Sequence, residues 1–155
     1  MPYMSPTRAD IDRALWALRG YEIATLATTL PAGPHAAGVF FATILEGERI
    51  RLVLTVFRET RLHRGIEHDP RVAFMCSPGN PSRWIQGTGR AHPVEDPERR
   101  TELIDHIVAH APAARPFIEA PNSLPVLLEV VELKIVEDLL SPPLLLDLGP
   151  PAEAA

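Results

Sequence analysis

Cysteine is all but missing from this chain: Cys76 is the only one in 155 residues. An intrachain disulfide is therefore excluded. Cys76 falls inside an apolar run, Arg71–Ser77, and reads as a small core residue. Lysine is as scarce, with Lys134 alone among 15 Lys and Arg residues, and the arginines form no block. With a formal net charge of −5, the chain lacks the clustered cations that neutralise phosphates, so nucleic acid is not an expected partner. Long hydrophobic runs are missing too. No stretch reaches the roughly 18 apolar residues needed to span a bilayer, so no membrane association is expected. No charged start followed by an apolar run reads as a secretory signal, and the expected location is cytoplasmic.

What is present is ordinary globular material. Hydrophobic residues make up 46% and charged residues 23%, and 155 residues suit one domain. Thr7 caps a predicted helix over Arg8–Arg19, with Asp10 completing the box and Gly20 as its stop; Ile11, Leu15, Trp16 and Leu18 mark its buried stripe. Strands are expected over Tyr21–Thr29, Pro34–Leu45, Arg49–Val56, Arg71–Ser77, Arg83–Val94 and Leu124–Leu140, the last bent near Glu132. Glu59–His68 reads as a short helix ended by Asp69-Pro70. Asp96-Pro97 opens another that runs to about His110, and Arg115–Ala120 reads as a further helical turn. Residues 141–155 are Pro-rich and read as a tail that cannot pair regularly, lying on a surface of its own or of a partner through Leu144, Leu145 and Leu146; residues 1–140 form the domain. Six strands joined by short connections, with two or three helices, predict a mainly β fold, a small antiparallel barrel with flanking helices.

Two constellations carry chemistry. Thr55, Arg58, Thr60 and Arg61 cluster where a strand gives way to a helix. Helix-start N–H groups and guanidinium forks both favour the oxyanion of a phosphate monoester. The bland alternative is a capped surface helix with solvated arginines. The second is the strand at Trp84, where Trp84, Gln86, Thr88 and Arg90 share one face by the two-residue period. Ile85, Gly87, Gly89 and Ala91 share the other, which admits close approach of either a packed strand or a planar ligand. His63 and His68 flank the clamp, as flavin contacts or as solvated residues. His106 and His110 are spaced i, i+4, but the intervening residues lack the glutamate of a zinc motif, and no metal is expected.

The ordered series Ile23-Ala-Thr-Leu-Ala-Thr-Thr, Pro31-Ala-Gly-Pro-His35, Val39-Phe-Phe, Thr55, Thr60-Arg61, Asp69-Pro-Arg-Val-Ala73 and Trp84-Ile-Gln-Gly-Thr-Gly-Arg-Ala91 resembles the pyridoxamine-phosphate-oxidase-like, FMN-binding split-barrel family over about residues 8–110. It is more similar to the small single-domain members than to true pyridoxamine phosphate oxidase. The residues that hold the pyridoxal ring there have no counterpart here. The resemblance implies a six-stranded antiparallel split barrel, a homodimer, and FMN in a groove between the subunits. It implies that the strand matching Ala36–Phe41 runs its backbone along the isoalloxazine, so Ala37, Gly38 and Val39 become cofactor residues. It sets Leu54 and Thr55 near the phosphate with Arg58, Thr60 and Arg61, and Trp84 and Gln86 against the flavin.

Departures from the family pattern are specific. Aligned back from Asp69-Pro70, the usual phosphate lysine falls on Leu62, whereas a one-residue shift puts Arg61 there; small residues, Ala36-Ala37, stand where an arginine often opens the second-strand motif. Phosphate affinity then relies on Arg58 and Arg61, or the cofactor is a deazaflavin. The expected function is FMN-dependent oxidoreduction of an unidentified small molecule. The alternatives are a deazaflavin-dependent reductase and a non-catalytic flavin-binding protein. No acid or base has a secure role, so no catalytic residue is named. Some relatives of the fold bind haem, but no strong haem-ligand signal stands in the sequence.

Overall fold

The computed structural model describes residues 2–151. Its first helix, α1 (Arg8–Leu18), begins as the sequence predicts. The Thr7 hydroxyl accepts from the Asp10 N–H at 3.2 Å, and the Asp10 carboxylate accepts from the Thr7 N–H at 2.9 Å. The buried stripe is Ile11, Ala14, Leu15 and Leu18, spaced i, i+3, i+4, i+7. Trp16 lies about 100° around the helix from Leu15 and is 79% exposed, so its predicted place in the core is corrected.

Five strands then build most of the barrel: β1 (Ile23–Leu30), β2 (Gly33–Glu46), β3 (Arg49–Phe57), β4 (Arg71–Cys76) and β5 (Trp84–Pro93). Helix α2 (Arg61–His68) connects β3 to β4, and α3 (Pro97–His110) follows β5 with Asp96 as its cap. A 3₁₀ turn (Pro112–Ala114) and the short α4 (Arg115–Ile118) lead into β6 (Ser123–Val136). All ladders among these strands are antiparallel, in the order β3-β2-β1-β4-β5-β6, and β3 also pairs with β6 from Arg51↔Glu129 to Phe57↔Ser123. That last pairing closes a six-stranded barrel, the fold class expected.

The region after Ser141 differs from its prediction. β6 ends at Val136, not Leu140, and Leu144–Asp147 forms a seventh strand, β7, paired with β6 from Glu132↔Asp147 to Ile135↔Leu144. It takes the edge of β6 that β3 has left. The prolines of this segment flank Leu144–Asp147 without interrupting it, so each residue there keeps its N–H, and Leu146 is fully buried in the barrel core. Residues 152–155 of the predicted tail lie outside the described residues.

The Gly87/Gly89 face of β5 is turned inward. A Cβ at Gly87 would sit 2.5 Å from Phe74 and 2.7 Å from the Glu132 carbonyl oxygen, and one at Gly89 would collide with the Glu129 carbonyl oxygen. The glycines admit a packed strand, and no planar ligand fits there. The ladder between β5 and β6 slips between Thr88/Gly89, leaving Val131 as the extra residue, beside the bend expected near Glu132.

Two apolar clusters result. One fills the barrel, with Leu26, Phe41, Leu52, Leu54, Leu128 and Leu133 fully buried or nearly so. The other lies outside it, where Leu103 and Ile107 of α3 and Ile118 of α4 cover Ala42, Ile44 and Val53. Residues 41–44 of β2 and 52–54 of β3 are thus buried on both faces. Cys76 belongs to the barrel core, and burial pushes its thiol up to about 12, so it stays protonated. No helix among the described residues is long and apolar enough to cross a membrane.

Candidate functional site

The barrel is split where β2 and β3 part. They pair only from Phe41↔Leu54 to Glu46↔Arg49, whereas β1 follows β2 along its whole first half, from Ile23↔Phe40 to Leu30↔Gly33. One edge of β2 before Phe41 is therefore unpaired. The Phe41 N–H donates to the Glu22 carbonyl on the β1 side. Alternation along the strand then turns the N–H and C=O of Ala36, Gly38 and Phe40 to the open side.

A cleft of about 380 Å³ occupies that opening, within the range of small-molecule sites. Its lining includes Ala37, Gly38 and Val39 of β2, Thr55 of β3, and Thr60 and Arg61 at the start of α2. Six of the residues predicted to hold a cofactor are thus brought together. The walls are apolar: Phe40 and Phe117 stack with ring centroids 5.9 Å apart, and Leu62 lines the cleft beside Arg61.

The turn before α2 is tightly held. The Thr60 hydroxyl donates to the Phe57 carbonyl at 2.7 Å and accepts from the His63 N–H at 3.4 Å. Glu59 sits at φ 67°, the left-handed region, so the helix starts at Arg61 and not at Glu59 as predicted. The Glu59 N–H donates to His63 Nδ1 at 3.1 Å, and His63 Nε2 lies 2.6 Å from Glu67 Oε1. His63 is thus a buried brace, neither a solvated residue nor a lining of the cleft, while His68 is exposed. The N–H groups of Arg61 and Leu62, the first two of the helix, have no intrahelical acceptor. The Arg61 guanidinium has no ion-pair partner among the described residues.

The other predicted residues lie apart. Leu54 is 1% exposed and points into the barrel core. Arg58 is held in a two-pronged pair with Glu95, at 3.0 and 2.9 Å; the hydrogen bond raises the Arg58 pKa and lowers that of Glu95. Trp84 and Gln86 lie on the outer face of β5, where Trp84 Nε1 donates to Gln86 Oε1 at 2.8 Å, and the Lys134 ammonium stands 5.8 Å from the Trp84 ring centroid. They do not line the cleft. The sequence reasoning missed His35 and Phe117, both of which do. His35 was within reach, since the two-residue period puts it on the face of Ala37 and Val39; Phe117 arrives only through the packing of α4.

Among the described residues no group of three or more His, Cys, Asp or Glu side chains is placed to hold a metal. His110 Nε2 instead contacts the Tyr21 carbonyl oxygen at 2.7 Å, tying the end of α3 to the segment between α1 and β1.

No family model matches the sequence, and no curated protein sequence does. Solved structures match its fold. A putative pyridoxamine 5'-phosphate oxidase from Listeria innocua has a TM-score of 0.64 at 15% identity, covering 83% of this chain and 98% of that one. General stress protein 26 from Bacillus anthracis has a TM-score of 0.63 at 17% identity, covering 83% and 94%. A heme binding protein from Mycobacterium smegmatis has a TM-score of 0.65 at 24% identity, covering 88% of this chain; this chain spans just over half, 56%, of its length. The chain has the split-barrel fold that these proteins share, the pyridoxamine-phosphate-oxidase-like fold that its motifs resemble.

Proposed function

We propose that the chain is an FMN-dependent oxidoreductase acting on a small molecule, a cytoplasmic homodimer whose flavin lies in the cleft between β2 and the start of α2. One observation carries this reading. Two unfilled helix-start N–H groups and an unpaired guanidinium stand at one end of a cleft whose side is an unpaired strand edge. The first end suits a phosphate dianion. The strand edge offers alternating donors and acceptors to the polar rim of a planar ring, and Val39, Phe40 and Phe117 offer apolar contact to its faces.

The residues present fit the group. Arg61 and the N–H groups of Arg61 and Leu62 would hold the phosphate. Thr60 cannot donate to it while its hydroxyl proton is engaged by Phe57, so it acts as the cap that aims the helix. Gly38 and the carbonyl and N–H groups beside it would orient the ring. When bound, the flavin supplies the electron transfer, and the chain supplies position and electrostatics. Leu62 in place of a cation leaves Arg61 as the one guanidinium lining the cleft.

The homodimer reading draws support from the outer faces of β1 and β4, where Ile23 and Met75 are exposed apolar residues. A second copy packed there buries them and closes the open groove.

The test is the absorption spectrum of the purified protein. Bands near about 370 and 450 nm mark oxidised flavin, and one near about 420 nm a deazaflavin. Bound flavin that stays oxidised with NADH, with NADPH and with chemically reduced deazaflavin would leave a binding role in place of the enzyme. A haem Soret band, or a colourless protein that takes up no FMN in titration, would overturn the reading.

A further inference from the structure

A second pocket, of about 480 Å³, lies at the C-terminal end of α1 and plays no part in the function proposed above. Its floor is apolar, made by Ile85, Ile135 and Val136, all buried. Two aromatic rings border it, Trp16 and Tyr21. Trp16 is 79% exposed, on a helix whose buried stripe runs elsewhere, so packing does not account for it. Two guanidinium groups also line the pocket, Arg19 and Arg83. Neither side chain has a hydrogen bond or ion pair among the described residues. The one acid on the lining, Glu137, is already paired with Arg13 at 2.9 Å, and that hydrogen bond lowers its pKa. The pocket is thus cationic in a chain whose formal net charge is −5.

We propose that this pocket binds a planar aromatic anion, its ring on the apolar floor beside Trp16 and Tyr21 and its acid group held by Arg19 and Arg83. Guanidinium forks match a carboxylate in two-pronged fashion, and they also stack on flat rings. Burial of the ring supplies affinity, and the arginines select for charge. An uncharged aromatic leaves both cations unmatched, and an aliphatic acid leaves the floor and the rings unused.

The test uses the full chain as purified, with three probes: indole-3-carboxylate, its uncharged carboxamide, and acetate. Binding is followed by calorimetry and by amide chemical shifts. The carboxylate is expected to bind saturably below about 1 mM, at least about tenfold more tightly than the carboxamide or acetate. Its shifts are expected at Gly20, Tyr21 and Val136. Arg19→Gln and Arg83→Gln are each expected to weaken the carboxylate about tenfold and leave the carboxamide unchanged; Trp16→Ala weakens both aromatics. All three positions are exposed, so the variants should unfold at the wild-type temperature. Absence of saturable binding, carboxylate affinity retained in both arginine variants, or shifts confined to Gly38–Phe40 overturns the proposal.

Discussion

Replacing Arg61 with alanine separates a phosphate site from a merely solvated helix start. Arg61 is the first residue of α2, where alanine is a good helix former, so the fold is retained. A guanidinium bonded to a phosphate contributes about 1.5–3 kcal/mol. The position is exposed, and salt screens such a pair over about 8 Å at physiological ionic strength, so the lower figure applies. That is about a tenfold loss of FMN affinity. The loss stops there, because the N–H groups of Arg61 and Leu62 remain. Riboflavin lacks the phosphate and should bind both proteins alike. The assay is quenching of flavin fluorescence, titrated with FMN and with riboflavin at two salt concentrations. The FMN-to-riboflavin preference should fall about tenfold in Arg61→Ala, and its salt dependence should weaken with it. Equal losses for the two ligands, or none for either, would refute the assignment of this helix start to the phosphate.

Further outcomes are expected elsewhere. Arg58→Gln, which frees Glu95, should leave FMN affinity within about twofold, because exposed pairs of this kind contribute little; a loss as large as that of Arg61→Ala would mean Arg58 leaves Glu95 for the ligand. Gly89→Ala forces a Cβ against the Glu129 carbonyl inside the closed barrel and should destabilise the protein by more than about 2 kcal/mol in urea unfolding, with the midpoint unchanged if the barrel yields there. Glu46 is partly buried, which raises its pKa, but Arg51 and Arg99 outweigh this and hold it below its usual 4.5. A lowered folded pKa gives stability that is present above the unfolded value and lost as pH falls through the folded one. Stability should therefore drop with acid below about pH 4.5, less steeply in Glu46→Gln, and parallel profiles would reject this role. Sedimentation at micromolar concentration should show a dimer, with an interface above about 2,000 Å²; a monomer with flavin bound would remove the second subunit from the site.

Local chemistry made much of the fold legible. The Thr7/Asp10 box and the Asp96-Pro97 start are decided within four residues, and both helices begin where these signals stand. The strands follow from alternation, and the hairpin at Gly47-Glu48 from a glycine at φ 63°. The misreadings have tertiary causes. Leu144–Asp147 is too short to announce a strand among prolines; it pairs because β3 leaves an edge of β6 free, a fact of topology alone. Trp16 is large and apolar, which suits a core residue, but it lies off the buried stripe of α1 and is exposed.

The site was legible where it is contiguous in sequence and obscure where it depends on distant partners. Ala37–Val39 and Thr60-Arg61 lie on two short segments, and the parting of β2 from β3 brings them together. Arg58 and Arg61 are indistinguishable by composition and spacing, since both flank the same turn. They are told apart by Glu95, which lies 37 residues further on and pairs with Arg58, whereas Arg61 has no ion pair among the described residues. Trp84 and Gln86 pose the same question at larger scale. Their strand lies beyond β1 and β4 from β2, and neither residue lines the cleft. On the proposed reading a second copy brings them to the flavin. The Trp84 Nε1 bond to Gln86 then becomes a marker of assembly: the indole and the amide would be paired with each other in an isolated protomer and turned to the ring across the subunit boundary. Trp84→Phe should therefore change the fluorescence quenching of bound FMN only where sedimentation shows a dimer, and an effect that persists in a monomer would place the flavin on β5 itself.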